Sequence, residues 1–129
     1  MGQLLANQFE SGNVNLENQT VKIGSLAWQE HPKFKGVSLK TLVKGEATNG
    51  LVSCHLVRIL PGHEIGEHLH EGRIELHEIV AGAGNCILGG QTIRYQPGEV
   101  TVIPADLIHR VVAGEPGLII LAKFLPALE

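Results

Sequence analysis

Apolar and polar residues alternate in short runs along most of the chain, and glycine- and proline-rich breaks separate the runs. Segments 21–28 (VKIGSLAW), 37–45 (VSLKTLVKG), 51–60 (LVSCHLVRIL), 74–82 (IELHEIVAG), 99–104 (EVTVIP), 107–114 (LIHRVVAG) and 118–124 (LIILAKF) each read as a strand. Segment 85–95 reads as a hairpin turning at Gly89-Gly90, because a two-residue turn needs the positive φ that glycine supplies. Pro61-Gly62, QPG at 96–98 and GEPG at 114–117 are further breaks. No stretch has helical periodicity at full helix length. Many short strands with regular turn signals predict an all-β barrel or sandwich.

Side-chain parity assigns the faces. In 51–60, Ser53, His55, Val57 and Ile59 share one face and Val52, Cys54, Leu56, Arg58 and Leu60 the other. Both are largely apolar, as in a strand packed on both sides. In 74–82, Glu75, His77, Ile79 and Ala81 share a face, with Leu76, Glu78 and Val80 opposite. His109, Val111 and Ala113 share another, with Arg110 pointing out. Segment 118–124 closes the sheet, with Leu118, Ile120, Ala122 and Phe124 opposite Lys123. Lys33, Lys35, Lys40 and Lys44 read as a solvated edge that resists edge-to-edge pairing. Residues 1–20 are rich in Asn and Gln and read as an N-terminal arm, adding an edge strand, reaching a partner subunit or fraying. Residues 21–129 form one domain of ordinary size.

A net charge of −3 argues against nucleic acid, which wants a basic patch. The apolar runs are far short of a membrane span. MGQLLANQFE lacks the basic start of a secretory signal, and Ala6 stands where myristoylation needs Ser or Thr. Cys54 and Cys86 form no CxxC pair and read as small buried hydrophobes, with a reducing cytoplasm as the expected location.

The seven histidines change the picture. His68 and His70 fall on one face of a strand, about 7 Å apart. A carboxylate from the next strand would add a third ligand, and His109 a fourth. Three imidazoles and a carboxylate suit one divalent transition metal, Fe, Mn, Ni, Cu or Zn, without choosing among them. An HxH pair alone is weak, since this composition produces one by chance at roughly 0.4 per chain. Adding the glycines and glutamate at their spacings lowers the expectation to roughly one in a thousand. His77, on the Glu75 face, is the candidate acid/base group, or else a wall histidine that orients a ligand by hydrogen bonding. His55 is either a hydrogen-bonded core residue or a substrate contact, and His31 a surface residue.

Gly62, His68, His70, Glu75 and Gly82 match G-x5-H-x-H-x4-E-x6-G, and Gly98, Pro104 and His109 match much of a second pattern, G-x5-P-x-G-x2-H-x3-N. On these motifs, over about residues 50 to 125, the chain resembles the cupin family. Two positions depart: Asp106 stands for the usual Gly, which puts the turn before His109 in question, and Ala113 for the usual Asn. The resemblance implies a small double-stranded β-helix (jelly-roll) barrel with a metal on His68, His70, Glu75 and His109. The spacing to Gly82 favours Glu75 over Glu71 and Glu78. It also implies a homodimer, engaged through the arm and the C-terminal FLPALE. Cupin chemistry is diverse, so the expectation is a metal-dependent enzyme on a small organic molecule, of dioxygenase or isomerase/lyase type. The alternative is a non-catalytic module that binds or senses a small ligand. Val57, Ile79, Val111 and Phe124 would line the pocket, and few aromatic residues argue against a large stacking site.

Overall fold

The computed structural model describes residues 2–128. It has one helix, α1 (Gly2–Glu10), and ten strands: β1 (Asn13–Asn15), β2 (Thr20–Lys22), β3 (Gln29–Glu30), β4 (Val37–Val43), β5 (Ser53–Ile59), β6 (Glu64–His68), β7 (Ile74–Leu88), β8 (Gln91–Tyr95), β9 (Val100–Ile103) and β10 (His109–Leu125). β1 and β2 pair only with each other, while the rest hydrogen-bond in the order β3-β4-β5-β10-β7-β8, with β6 beside β10 and β9 beside β7.

Two long strands, β7 and β10, make the fold. They pair antiparallel along their whole length, with an irregularity between Ala113 and Leu118. Beyond it Leu118–Phe124 of β10 adds β5, and Glu75–Glu78 of β7 adds β9. Before it His109–Val112 adds β6, and Gly84–Leu88 adds β8. The two strands thus pass from one sheet into a second, which is the jelly-roll arrangement. The crossing is possible because it lacks side chains: a Cβ on Gly82 would lie 1.9 Å from the Gly117 carbonyl oxygen, and one on Gly84 2.2 Å from that of Val112. The core between the sheets gathers Val57, Ile59, Ile79, Tyr95, Val111, Leu118, Ile120 and Ala122, with Cys86 among them.

Several expectations are corrected. GEPG does not end a strand; it is the irregular stretch inside β10, because β7 supplies continuous partners on either side. Segment 118–124 is central, flanked by β5 and β7, rather than a closing strand. Of 21–28 only the start is strand, and Ile23–Ser25 is a 3-10 turn. The N-terminal arm begins as a helix. Nine amide-rich residues are too few to show two clear helical repeats or to hold a helix alone, and α1 is held by packing, with Ala6 against Val80 and Ala81. Ala81 therefore leaves the Glu75 face to which parity assigned it: Ile119 and Ile120 stand opposite Ala81 and Ile79, a bulge that turns Ala81 outward. Lys40 is buried rather than solvated, its Nζ donating to Glu10 Oε2 at 2.8 Å and to the Ile23 carbonyl at 3.1 Å.

Candidate metal centre

His68 ends β6, His70 lies two residues beyond it in the loop, Glu75 lies near the start of β7 and His109 begins β10. β10 runs between β6 and β7, with His109 opposite His68 and Phe124 opposite Glu75. One ligand-type atom from each of His68, His70, Glu75 and His109 lies within 4.8 Å of all the others. The ring centroids of His68 and His109 are 4.1 Å apart, and those of His70 and His109 5.7 Å. The structure therefore brings together the four side chains singled out by spacing.

Backbone contacts orient the rings. Nδ1–H of His68 donates to the Gly66 carbonyl at 2.7 Å, and Nδ1–H of His109 to that of Leu107 at 3.0 Å. A carbonyl only accepts, so each neutral ring carries its proton on Nδ1 and presents the Nε2 lone pair to the centre, the arrangement a metal requires. Glu75 Oε1 and His109 Nε2 stand 3.3 Å apart, yet both are buried and make no hydrogen bond. His70 Nε2 is 3.6 Å from the same oxygen. Buried polar atoms without partners are costly, and a cation among them would satisfy both. The donor set, three neutral nitrogens and one carboxylate oxygen, fits a divalent transition metal.

Electrostatics support that reading. Burial would raise the Glu75 pKa, but His77, His109 and His70 outweigh it and hold the carboxyl well below its usual range, so it is ionised. Burial pushes His68 down to about 4 and also lowers His70, keeping these rings neutral at pH 7. Burial lowers His109 too, but the Glu75 carboxylate and the Leu107 carbonyl more than offset it, so its pKa is raised. A cation at the centre would compete with protonation of His109.

These shifts carry a prediction for the metal-free protein. A base with a depressed folded-state pKa binds fewer protons folded than unfolded, so stability is lost as pH falls from 6.5 to about 4, the His68 window. Discounted for the solvent that still reaches the ring, the loss is about 1–2 kcal/mol. His70 adds in the same direction and His109 opposes. Thermal unfolding of the metal-free protein from pH 7 to pH 4 should show this decline, and His68→Gln should flatten it. Equal slopes for both proteins would refute the assignment.

His77 is 4% exposed at its side chain, with Nε2 2.9 Å from Glu75 Oε2 and Nδ1 2.8 Å from the Tyr95 hydroxyl. A carboxylate only accepts, so Nε2 carries the proton and, in the neutral ring, Tyr95 donates to Nδ1. Both nitrogens are thus engaged. Tyr95 is completely buried, and burial pushes its pKa far up, so it remains a donor. Sequence reasoning missed Tyr95; it lies eighteen residues from His77 and reaches it only because β8 folds back on β7. His55 is buried, with Thr41 Oγ1 at 3.1 Å and Ser53 Oγ at 2.9 Å from its two nitrogens, as the core reading expected.

Asp106 resolves the departure at its position. It has φ +66°, the conformation in which glycine is at ease and which aspartate tolerates better than most residues. Its Oδ1 accepts from Gly72 N–H at 2.9 Å, and its own N–H donates to the His70 carbonyl at 3.2 Å. The turn before His109 is thereby tied to the loop carrying His70. The open side of the centre is that of His68 and His70, both half-buried, His70 at 23% exposed against 7% for Glu75 and 1% for His109. Phe124 stands 4.7 Å from His70 and Phe34 6.1 Å from His68, measured between ring centroids.

Fold and site together define a jelly-roll β-barrel protein with a three-histidine, one-glutamate cluster fit to hold a metal ion. The chain belongs to the cupin family, whose domain matches residues 55–121. Among solved structures it is similar to KdgF from Halomonas sp., at 27% identity over 78% of this chain and 87% of that one, with a TM-score of 0.68. It is also similar to a predicted oxalate decarboxylase from Thermotoga maritima (22% identity, 84% and 99% coverage, TM-score 0.77) and to ectoine synthase from P. lautus (21%, 73% and 67%, TM-score 0.66). No curated protein matches the sequence. Among the described residues, no helix is long and apolar enough to cross a membrane.

Proposed function

We propose that the protein is a metal-dependent enzyme acting on a small organic molecule that chelates the ion through the His70 side of the site. The observation that carries this reading is the pair of buried, unpartnered atoms, Glu75 Oε1 and His109 Nε2, facing each other beside His68 and His70. Four protein donors on a six-coordinate ion leave two positions, enough for a bidentate substrate or for a substrate and a second small molecule. When bound, the ion would act as a Lewis acid, which suits both oxygenase and isomerase/lyase chemistry. The protein's own contribution is positioning. Tyr95 and His77 hold Glu75 by Oε2, which leaves Oε1 turned to the centre. His77 is then a positioning residue rather than a proton carrier, since neither of its nitrogens is free. Phe34 and Phe124 flank the His68 and His70 rings with apolar surface. The diversity of chemistry named among the structural neighbours, a decarboxylase and a synthase, supports a small-molecule substrate without choosing the reaction.

Elemental analysis of the purified, untagged protein tests this. Near-stoichiometric Fe, Mn, Ni, Cu or Zn is expected in the native protein and none in a folded His68→Ala/His70→Ala double variant. His77→Gln should still bind the metal, with affinity lowered roughly 10–100-fold, as for other groups that orient a ligand. No metal in the native protein even after reconstitution would overturn the proposal and favour the non-catalytic binding module.

A further inference from the structure

A cavity lies on the opposite face of the sheet from the histidines. We propose that the cavity between α1 and this outward face binds a small monocarboxylate with an apolar body, its charge held by Arg58. The face follows from register. Phe124, Ala122 and Ile120 of β10 stand opposite Glu75, His77 and Ile79 of β7, and so point to the metal side. Their neighbours Ile119 and Leu121 point outward, and these stand opposite Arg58 and Leu56 of β5. α1 covers this outer face, with Phe9 packed beside Ile119 and Leu121.

The cavity there has a volume of about 330 Å³, with Phe9, Trp28, Arg58, Pro61, Pro116 and Leu118 among its walls. That is the lower end of the range for small-molecule sites, which starts near ~300 Å³. The Arg58 guanidinium lies over the Trp28 ring, 4.3 Å from its centroid. Its Nε is buried without a hydrogen-bond partner, and among the described residues Arg58 forms no ion pair. The other cation at this ring, Lys40 at 5.0 Å, is neutralised by Glu10 at 2.8 Å. Glu10 thus pairs with Lys40, and Arg58 stands at the cavity wall without an ion pair among the described residues.

This arrangement selects the ligand. Stacking on Trp28 limits the guanidinium to a few orientations, and its planar fork of donors matches two oxygens of a carboxylate or a phosphate. A net charge of one, with the Glu10 carboxylate nearby, favours a monoanion over a dianion. Phe9, Pro61, Pro116 and Leu118 offer contact to an aliphatic or aromatic body, and Asn7 and Glu10 are the other polar residues of the wall.

Trp28 is the sole tryptophan of the chain and lines this cavity, so its fluorescence reports on it. The native protein is titrated with hexanoate, with its neutral counterpart hexanamide and with inorganic phosphate. Hexanoate should change Trp28 emission saturably, and hexanamide should bind at least roughly tenfold more weakly, the scale of one charge-assisted hydrogen bond. Arg58→Gln should bring hexanoate down to the hexanamide level, and Arg58→Lys should fall between, all variants unfolding at the native temperature. The His68→Ala/His70→Ala protein should titrate like the native one. The proposal is overturned by no saturable response to hexanoate, by equal affinity for hexanoate and hexanamide, or by an Arg58→Gln titration like the native one. Tighter binding of phosphate than of hexanoate would also overturn it, because the anion would then be held without the apolar walls. A response that disappears with the histidine pair would place the carboxylate at the metal centre instead. Either result leaves the metal assignment, tested by elemental analysis, standing or falling by itself.

Discussion

Glu75→Gln should leave the barrel folded and lower the affinity for a divalent transition metal at least about a hundredfold. The substitution keeps the side-chain shape and removes the charge. The donor set then carries no negative charge against the ion, and a neutral amide oxygen is a much poorer ligand than a carboxylate. The amide oxygen can still accept from His77 Nε2, so His77 and Tyr95 keep their hydrogen bonds. Without metal, the variant also loses the ionised carboxyl that raises the His109 pKa, so His109 should titrate lower than in the native protein. Competition against a coloured chelator gives the affinity, and NMR titration of the histidine rings gives the second effect. A metal affinity within tenfold of native, with the histidine titration unchanged, would show that Glu75 is not part of the centre.

Gly82→Ala should destabilise the protein by more than about 4 kcal/mol, enough to unfold many domains of this size. The new methyl carbon would sit 1.9 Å from the Gly117 carbonyl oxygen, 2.8 Å from its carbon and 3.1 Å from Leu118 Cα, all backbone atoms of the facing strand. No side-chain rotation relieves that overlap, and the residue also holds φ +87°. Gly72→Ala is the informative comparison. Its φ is +67°, yet nothing lies within 4 Å of the added carbon, so only the backbone strain of about 1 kcal/mol applies. Chemical denaturation of the two variants separates the terms. If Gly82→Ala and Gly72→Ala lose similar stability, close approach of β7 and β10 is not what the glycine is for. The result bears on the motif itself: its final glycine serves the crossing between sheets, while its histidines and glutamate serve the centre.

The ligand set was legible because it depends on short-range geometry. His68 and His70 are two residues apart, and Glu75 follows one turn later, so chain connectivity alone brings them near each other. His109 was legible only through its place in a second spaced pattern, since nothing local relates it to residue 75. The strand faces of β5 and the first half of β7 followed from parity, and parity failed at Ala81, where one bulge reverses the side. Asp106 looked like a defect in the turn before His109; in space its carboxylate bonds the loop of His70.

The sequence by itself determined an all-β chain, its turns, and four potential metal donors, because alternation, glycine and proline act on neighbouring residues. Tertiary structure alone decided what covers each face. Lys40 and Arg58 carry the same charge on the outward side of adjacent strands, yet α1 gives Lys40 a partner in Glu10 and leaves Arg58 only the face of Trp28. The same holds at the centre: His77 acquires Tyr95 from β8, and Glu75 and His109, at opposite ends of the β7–β10 ladder, meet because both strands pass from one sheet into the sheet facing it. Such contacts join residues far apart in the chain, and the register of long strands sets them, which no local pattern encodes.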